Sequence, residues 1–342
     1  MKIPTKIQAW AARQPNAALE QIELPIPELS PTEALIEVLA CGICHSDVHL
    51  IDDDWRISQY PLVPGHEIVG RVVAMGREAR GLEPGMLVGV GWQRTSCGAC
   101  EDCVAGDENL CGTRLATCVA HPGGYADYHV TDARFAFPLP GAKFDPAVAP
   151  LLCGGATVFG PLCDLIQGRH ARTPSLGVVG LGGLGHLAVK LGAALGMRVT
   201  VFSSSPRKRE EALALGAEQF IGSAAPEAIE SVGPSLDMVL VTAPADLPWT
   251  AFLHTLRSDG TLCFVGIPPG PISMPVSELL ARRLRITASP IGSRARIGQM
   301  LEYCRARKIT ADIEAFPLES ANEALRRVRE NKVRHRAVLV RG

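Results

Sequence analysis

The sequence predicts an α/β protein of two domains, a discontinuous β-rich metal-binding domain and a doubly wound, parallel-sheet domain for a dinucleotide. Three observations predict it. At 342 residues the chain exceeds one ordinary core, and a prior of roughly 100–200 residues per domain suggests two. Short strand-like runs broken by Pro and Gly fill the first part, whereas apolar strands alternate with helical stretches from Ser175 onward. Cysteine and histidine at ligand spacing crowd the first part, and a glycine-rich turn opens the second.

In chain order, Ile7–Trp10 and Leu35–Leu39 read as strands separated by prolines at 25, 27 and 31. Val69–Val73 and Met86–Val90 read as further strands linked by glycine turns, and a short strand runs to Val130. The run Asp52-Asp53-Asp54 is expected to be a solvated loop, since three consecutive carboxylates do not easily converge on an ion. Strands at Ser175–Val179, Arg198–Phe202, Leu236–Val241, Thr261–Val265 and Leu284–Ala288 alternate with helices, one of them over Trp249–Leu256. Their near-continuous apolar character requires cover on both faces. The tail, with helices over Ile297–Ala306 and Ala321–Arg329 and strands at Phe316–Leu318 and Ala337–Val340, is expected to return to the first domain. That places a metal-binding domain at 1–152 and 289–342 and a nucleotide-binding domain at 153–288.

Composition narrows the partners. The formal net charge is −1, so no global basic field attracts nucleic acid or an anionic membrane, and phosphate affinity has to come from a local site. The first fourteen residues lack a signal-type apolar core and no run of eighteen apolar residues occurs, so the expected location is the cytoplasm. In that reducing compartment eleven cysteines are expected to serve as ligands and core residues rather than disulfides.

Cys97-x2-Cys100-x2-Cys103-x7-Cys111 carries the strongest single signal. Four thiolates in a glycine-containing loop can close a tetrahedron around Zn²⁺ with no position left for substrate, which marks a structural site. An iron–sulfur cluster fits less well, because the last interval is too long and no proline follows it. Cys41, Cys118, Cys163, Cys263 and Cys304 lack partners at ligand spacing and are expected to pack. A second constellation lies in Cys44-His45-Ser46-Asp47-Val48-His49 and Pro64-Gly65-His66-Glu67. A thiolate with an imidazole favours Zn²⁺, and a catalytic zinc needs three protein ligands and an open position. Cys44 and His66 supply two, and Cys153 is the candidate third. Glu67 fits either a displaceable fourth ligand or a carboxylate behind the site.

The second domain opens with Gly180-Leu181-Gly182-Gly183-Leu184-Gly185, after one apolar strand and before a helix and a second strand. In this βαβ context the turn brings backbone N–H groups and a helix N-terminus to a pyrophosphate. NAD binding calls for an acidic residue near the end of the second strand. Here Ser203, Ser204 and Ser205 stand before Arg207, Lys208 and Arg209. Hydroxyls and cations suit a 2′-phosphate, so NADP(H) is the expected cofactor.

These motifs, with Leu152-Cys153-Gly154, Asp54-Trp55, the stretch from Ser58 to Glu67 and Phe202-Ser203-Ser204-Ser205-Pro206, occur in the order and spacing of the zinc-dependent medium-chain alcohol dehydrogenases. The resemblance covers nearly the whole chain and is greatest to the cinnamyl alcohol dehydrogenase group, especially its bacterial NADPH-dependent aldehyde reductases. It implies a GroES-like catalytic domain plus a Rossmann domain, and catalytic zinc on Cys44, His66 and Cys153 with Glu67 adjacent. It further implies structural zinc on Cys97, Cys100, Cys103 and Cys111, hence two zinc ions per chain, and a proton relay through Ser46 and His49. NADP(H) would lie on Gly180, Gly182, Gly183, Leu184, Gly185, Ser203, Ser204, Ser205 and Lys208, with His45 near the pyrophosphate and Thr157 near the nicotinamide. Trp55 and Trp92 would wall the pocket for an aldehyde or alcohol.

The implied reaction is reversible hydride transfer between NADP(H) and primary alcohols or aldehydes. The resemblance also implies a homodimer, with Leu262–Val265 and the proline-rich Ile267–Pro275 stretch as the expected contact. An NAD-dependent polyol or amino-alcohol dehydrogenase would use the same zinc and is separated by a cofactor swap. A zinc-free quinone reductase would not need the ligand set. A non-catalytic NADPH sensor would bind zinc and cofactor but turn over no aldehyde.

Overall fold

A computed structural model describes residues 5–139, 141, 143–167 and 172–342 and divides into two compact units. The first comprises Met1–Cys153, Ser293–Cys304 and Thr310–Gly342, the second Gly154–Gly292 and Arg305–Ile309. Cys153, placed from the sequence at the start of the nucleotide-binding half, is thus the last residue of the first unit before the chain crosses over. Among the described residues no single helix is long and apolar enough to cross a membrane.

The first unit is built on the strand Glu33–Ile43, long enough to pair antiparallel with three neighbours. These are Ile68–Met75, Tyr128–Asp132 and the late strand Arg336–Val340. Ile313–Pro317 adds parallel to Arg336–Val340. On the other side Leu87–Val90 joins Ile68–Met75 and is followed by Ala136–Pro138. Ile36, Val38, Ile68, Val72, Val88 and Leu339 are buried in one core, each fully buried aliphatic side chain contributing about 1.5–3 kcal/mol. The sheet therefore fixes where both of its metal-facing loops begin. Ile43 ends the central strand and Cys44 is the N-cap of the helix His45–Asp52. His66 and Glu67 immediately precede the neighbouring strand.

Asp52, Asp53 and Asp54 are half-buried to exposed and form no ligand cluster among the described residues, but only the last two stand in a turn. Asp52 ends that helix and pairs with Arg329, Asp53 turns into the left-handed region at φ 58°, and Asp54 accepts from His49. The Asp53 carboxylate accepts from the Ser58 N–H at 3.0 Å, so each carboxylate has its own partner.

In the second unit Ser175–Val179 lies inside a six-stranded parallel sheet. Arg198–Ser203 and then Gln219–Gly222 extend it on one side. Leu236–Val241, Leu256–Phe264 and Arg285–Ala288 extend it on the other. This is the doubly wound order that binds nucleotides at the carboxyl ends of its strands. Leu262 and Cys263 are buried, on a strand that lies between two neighbours of the sheet. The exposed edge is Arg285–Ala288, with all four residues exposed. An apolar run cannot tell a central strand from an edge strand.

Candidate active site and metal centres

Three separate backbone features bring the first ligand set together. Cys44 caps a helix, His66 and Glu67 lie on the loop entering a strand, and Cys153 ends the 3₁₀ turn Pro146–Leu152. Their ligand atoms lie within 4.8 Å of one another. The site is held from behind by Asp47, fully buried on the Cys44 helix. Its Oδ2 accepts from the Cys44 N–H at 2.9 Å. Its Oδ1 accepts from the Gly65 N–H at 3.0 Å and from His66 Nδ1 at 2.9 Å. One carboxylate thereby sets the spacing of two ligand loops and turns His66 so that Nε2 faces away from it.

That Nε2 is buried and has no hydrogen-bond partner, a costly arrangement for a polar atom unless it is a ligand. Glu67 repeats the pattern. Its Oε1 accepts from the buried Arg336, while Oε2 is buried and unpartnered. A Cβ at position 42 would overlap Glu67 Oε2, so only glycine leaves room for the carboxylate there. Two thiols, one open imidazole nitrogen and an unsatisfied carboxylate oxygen form a donor set that Zn²⁺ fits.

The electrostatics agree. A hydrogen bond from Cys153 and the proximity of His66 and Arg336 overcome burial and hold the Cys44 thiol well below its ordinary pKa, favouring thiolate. Burial opposes charge on His66, yet Asp47 and Cys153 hold its pKa well above the usual value. Burial raises Glu67 to about 7, with Arg336 opposing. Arg336 thus offsets part of the cost of burying a carboxylate beside two sulfurs.

Ser46 and His49 lie on the same helix, three positions apart and therefore on neighbouring turns of one face. Ser46 Oγ is 3.6 Å from Cys44 Sγ. His49 Nδ1 is 2.7 Å from Asp54 Oδ2 and its ring is partly exposed. His45, the first helical residue, is exposed. The rings of His49 and Trp55 stand 5.2 Å apart, Trp55 and Trp92 meet edge to face at 6.2 Å, and Trp92 meets His66 edge to face at 4.9 Å. Trp92 thus touches the ligand set through His66, and Trp55 stands behind it between Trp92 and His49.

Cys97, Cys100, Cys103 and Cys111 also bring their sulfurs within 4.8 Å of one another. Backbone N–H groups of Ala99 and Cys100 point at Cys97 Sγ, 3.4 and 3.3 Å away, and lower its pKa. Cys111 falls to about 6 through the Cys97 backbone and the Thr113 hydroxyl. Four protein sulfurs leave no open position. Cys118, read as packing, is buried with its sulfur inside a third cluster beside Asp47 and His66, both of which are already bonded to each other.

In the second unit Gly180 has φ 91°, its N–H bonds to Phe202 O at 2.8 Å, and a Cβ at Gly185 would overlap Gly180 O. Gly182 caps the helix Gly183–Ala194 without a side-chain acceptor, leaving the first N–H groups for an anion. The half-buried Leu184 lies in the first helical turn. Ser203 is buried at the end of the second strand, where its Oγ accepts from the Ser205 N–H at 3.3 Å. Ser204 is exposed, and Lys208 Nζ donates to Leu181 O at 2.7 Å, which brings its cation to the glycine turn. Thr157 is half-buried on the helix Gly154–Gln167.

Sequence reasoning missed Asp47 as the holder of His66 and Arg336 as the holder of Glu67. The first had a usable signal, an acidic residue three positions after the candidate ligand Cys44. The second, 269 residues from its partner, had none.

Comparison with known proteins agrees with this architecture. Residues 30–141 match the alcohol dehydrogenase GroES-like domain and 183–306 the zinc-binding dehydrogenase family. The chain is 40% identical over 333 residues to aldehyde reductase AdhA of Synechocystis, covering 97% of this chain and 98% of that protein. Among solved structures, cinnamyl alcohol dehydrogenase SbCAD4 of Sorghum bicolor superposes with a TM-score of 0.92 at 36% identity, covering 98% of this chain and 97% of that one. A Helicobacter pylori CAD complexed with NADP(H) superposes with a TM-score of 0.90 at 28% identity, with 98% of each chain covered. The chain therefore belongs to the zinc-type medium-chain alcohol dehydrogenases, as a cinnamyl alcohol dehydrogenase-like enzyme.

Proposed function

We propose that the protein catalyses reversible NADP(H)-linked hydride transfer between primary alcohols and aldehydes, acting as a broad-range aldehyde reductase with two zinc ions per chain. The observation that carries this reading is the convergence of Cys44, His66 and Cys153 with an unpartnered His66 Nε2. Bound zinc polarises a carbonyl oxygen and NADPH supplies the hydride. Cys44, His66 and Cys153 hold the metal, with Glu67 at its side. Asp47 keeps His66 in the tautomer that offers Nε2. Ser46, beside Cys44, presents a hydroxyl to the substrate oxygen, and His49, partly exposed and anchored by Asp54, exchanges the proton with solvent. Trp55 and Trp92 offer flat apolar walls. Lys208 and the serines at 203–205 replace the carboxylate that would repel a 2′-phosphate. Reduction is the favoured direction because cells keep NADPH reduced. The name of the Synechocystis relative, aldehyde reductase, and the NADP(H) bound to the H. pylori neighbour support the same reading.

A homodimer and a cytoplasmic location belong to the same proposal. Arg285–Ala288 ends its sheet with an unpaired edge, and Ile267, Val276, Leu280 and Ile286 are exposed in the adjoining segments. Pairing with a second copy removes an edge that proteins seldom leave bare, so Leu280→Asp should leave a monomer by light scattering. Metal sites built on reduced thiolates suit a reducing compartment. The central test is metal analysis with steady-state kinetics on aromatic and aliphatic aldehydes. Two zinc ions, falling to one in both Cys44→Ser and Cys103→Ser, and turnover with NADPH preferred to NADH are expected. One ion in the unmodified protein, or preference for NADH, refutes the reading.

A further inference from the structure

The cysteine lobe is gripped at both ends by arginines that share one ring. Arg134 Nη2 donates to Ser96 O at 3.2 Å, just before the first ligand. Arg294 Nη1 donates to Glu108 Oε1 at 3.1 Å, three residues before the last ligand. Arg294 Nε also donates to Arg134 O at 2.8 Å, and both guanidinium groups lie over Phe135, 5.9 and 5.4 Å from its centroid. Glu108 is itself pinned, its carbonyl accepting from Gln93 Nε2 at 2.6 Å. A planar fork that stacks and donates in two directions fixes a position in a way a lysine cannot.

The place Arg294 fixes is the second crossover of the chain. Ser293 begins the returning segment of the first unit, and Gly292 ends the long segment of the second. The residues from 289 to 292 leave the carboxyl end of the strand Arg285–Ala288, with the Ser289 N–H bonded to Phe264 O at 2.9 Å. Doubly wound sheets bind their ligands at that end.

We propose that Arg294 is a positioning residue that ties this crossover to the cysteine lobe, so that affinity for NADP(H) responds to the metal content of the lobe. The proposal rests on the readings given above of the lobe as a zinc site and of the second unit as an NADP(H) site. Metal in the lobe orders Glu108, Glu108 holds Arg294, and Arg294 restrains the segment leaving the nucleotide-binding sheet.

The test compares the zinc-loaded full-length protein with Arg294→Ala, Arg294→Lys, Glu108→Gln and Cys103→Ser. Deuterium uptake of residues 289–293 and NADPH titration followed by protein fluorescence are the readouts. Arg294→Ala should speed exchange there and raise the Kd for NADPH about 3- to 10-fold, the scale on which residues that couple separate sites act, with KM rising and kcat little changed. Arg294→Lys keeps the charge facing Glu108 without the fork and should fall between. Glu108→Gln should follow Arg294→Ala more weakly, so these two carry the test if Arg294→Ala folds poorly. Cys103→Ser should raise Kd in the same direction. Unchanged exchange and Kd in Arg294 and Glu108 variants that retain both zinc ions overturn the proposal, as does a rise in Cys103→Ser without one in Arg294→Ala. Zinc counted in the unmodified protein tests the lobe reading separately.

Discussion

Replacing Asp47 by Asn tests how the catalytic ligand set is held. The two side chains have the same shape, so the perturbation is one of charge and hydrogen-bond polarity. Asp47 accepts three bonds in a fully buried position, two at Oδ1 from Gly65 and His66 and one at Oδ2 from Cys44. Asparagine can keep its single oxygen toward Gly65 and His66 only by turning its NH₂ onto the Cys44 N–H, donor against donor. The unsatisfied pair costs about 1–3 kcal/mol, and two charge-assisted bonds become neutral ones at about 1 kcal/mol each. The sum is roughly 3–5 kcal/mol, a large part of a domain's net stability. His66 is also less firmly oriented, which should weaken zinc about 10- to 100-fold. Urea unfolding of the zinc-loaded protein measures the first quantity, and competition with a chromogenic chelator measures the second. An Asn variant that unfolds at the unmodified midpoint and releases zinc no faster would refute the assignment of Asp47 as the common support of both loops.

Two further outcomes follow from the same structure. Burial and Arg94 hold His121 down at about 4, and burial with His121 holds His129 well below its ordinary value, so both are neutral when folded. The unfolded chain takes up those protons first, so the stability they contribute is full above about pH 6.5 and declines as pH falls toward the folded values, roughly 2–4 kcal/mol between pH 6.5 and 5 for the pair. Urea midpoints across that range should flatten in His129→Gln, and parallel slopes in variant and parent would contradict the sign. Ser203→Asp keeps an acceptor for the Ser205 N–H but sets a charge against a 2′-phosphate, so NADPH should weaken at least about tenfold more than NADH. Equal loss of the two by fluorescence titration would remove Ser203 from the phosphate pocket.

Features encoded over short spans were legible before the fold was known. The four-cysteine lobe and the glycine turn are each complete within a few turns of chain, so spacing alone brings their groups together. Cys44, His66 and Cys153 are spread over more than a hundred residues, so ligand chemistry could name Cys153 as a candidate third ligand and resemblance could support it, but no spacing could show that the three converge. Arg336 was invisible for the same reason, its role arising where one strand pairs with another made much earlier. That the strand holding Leu262–Val265 lies inside its sheet was not legible either, because an apolar strand reads alike at the centre and the edge of a sheet. The separate partners of Asp52, Asp53 and Asp54 were not legible, because composition describes a cluster whereas the backbone turn at Asp53 sends its members to different groups.

The salt link from Glu67 to Arg336 has a consequence for biosynthesis. The guanidinium arrives 269 residues after the carboxylate it neutralises, on a strand that fills the gap between Glu33–Ile43 and Ile313–Pro317. The link can close only after the whole nucleotide-binding insertion has been made. A chain that stops short of Arg336 carries Glu67 without its counter-charge and leaves Glu33–Ile43 without one of its neighbouring strands.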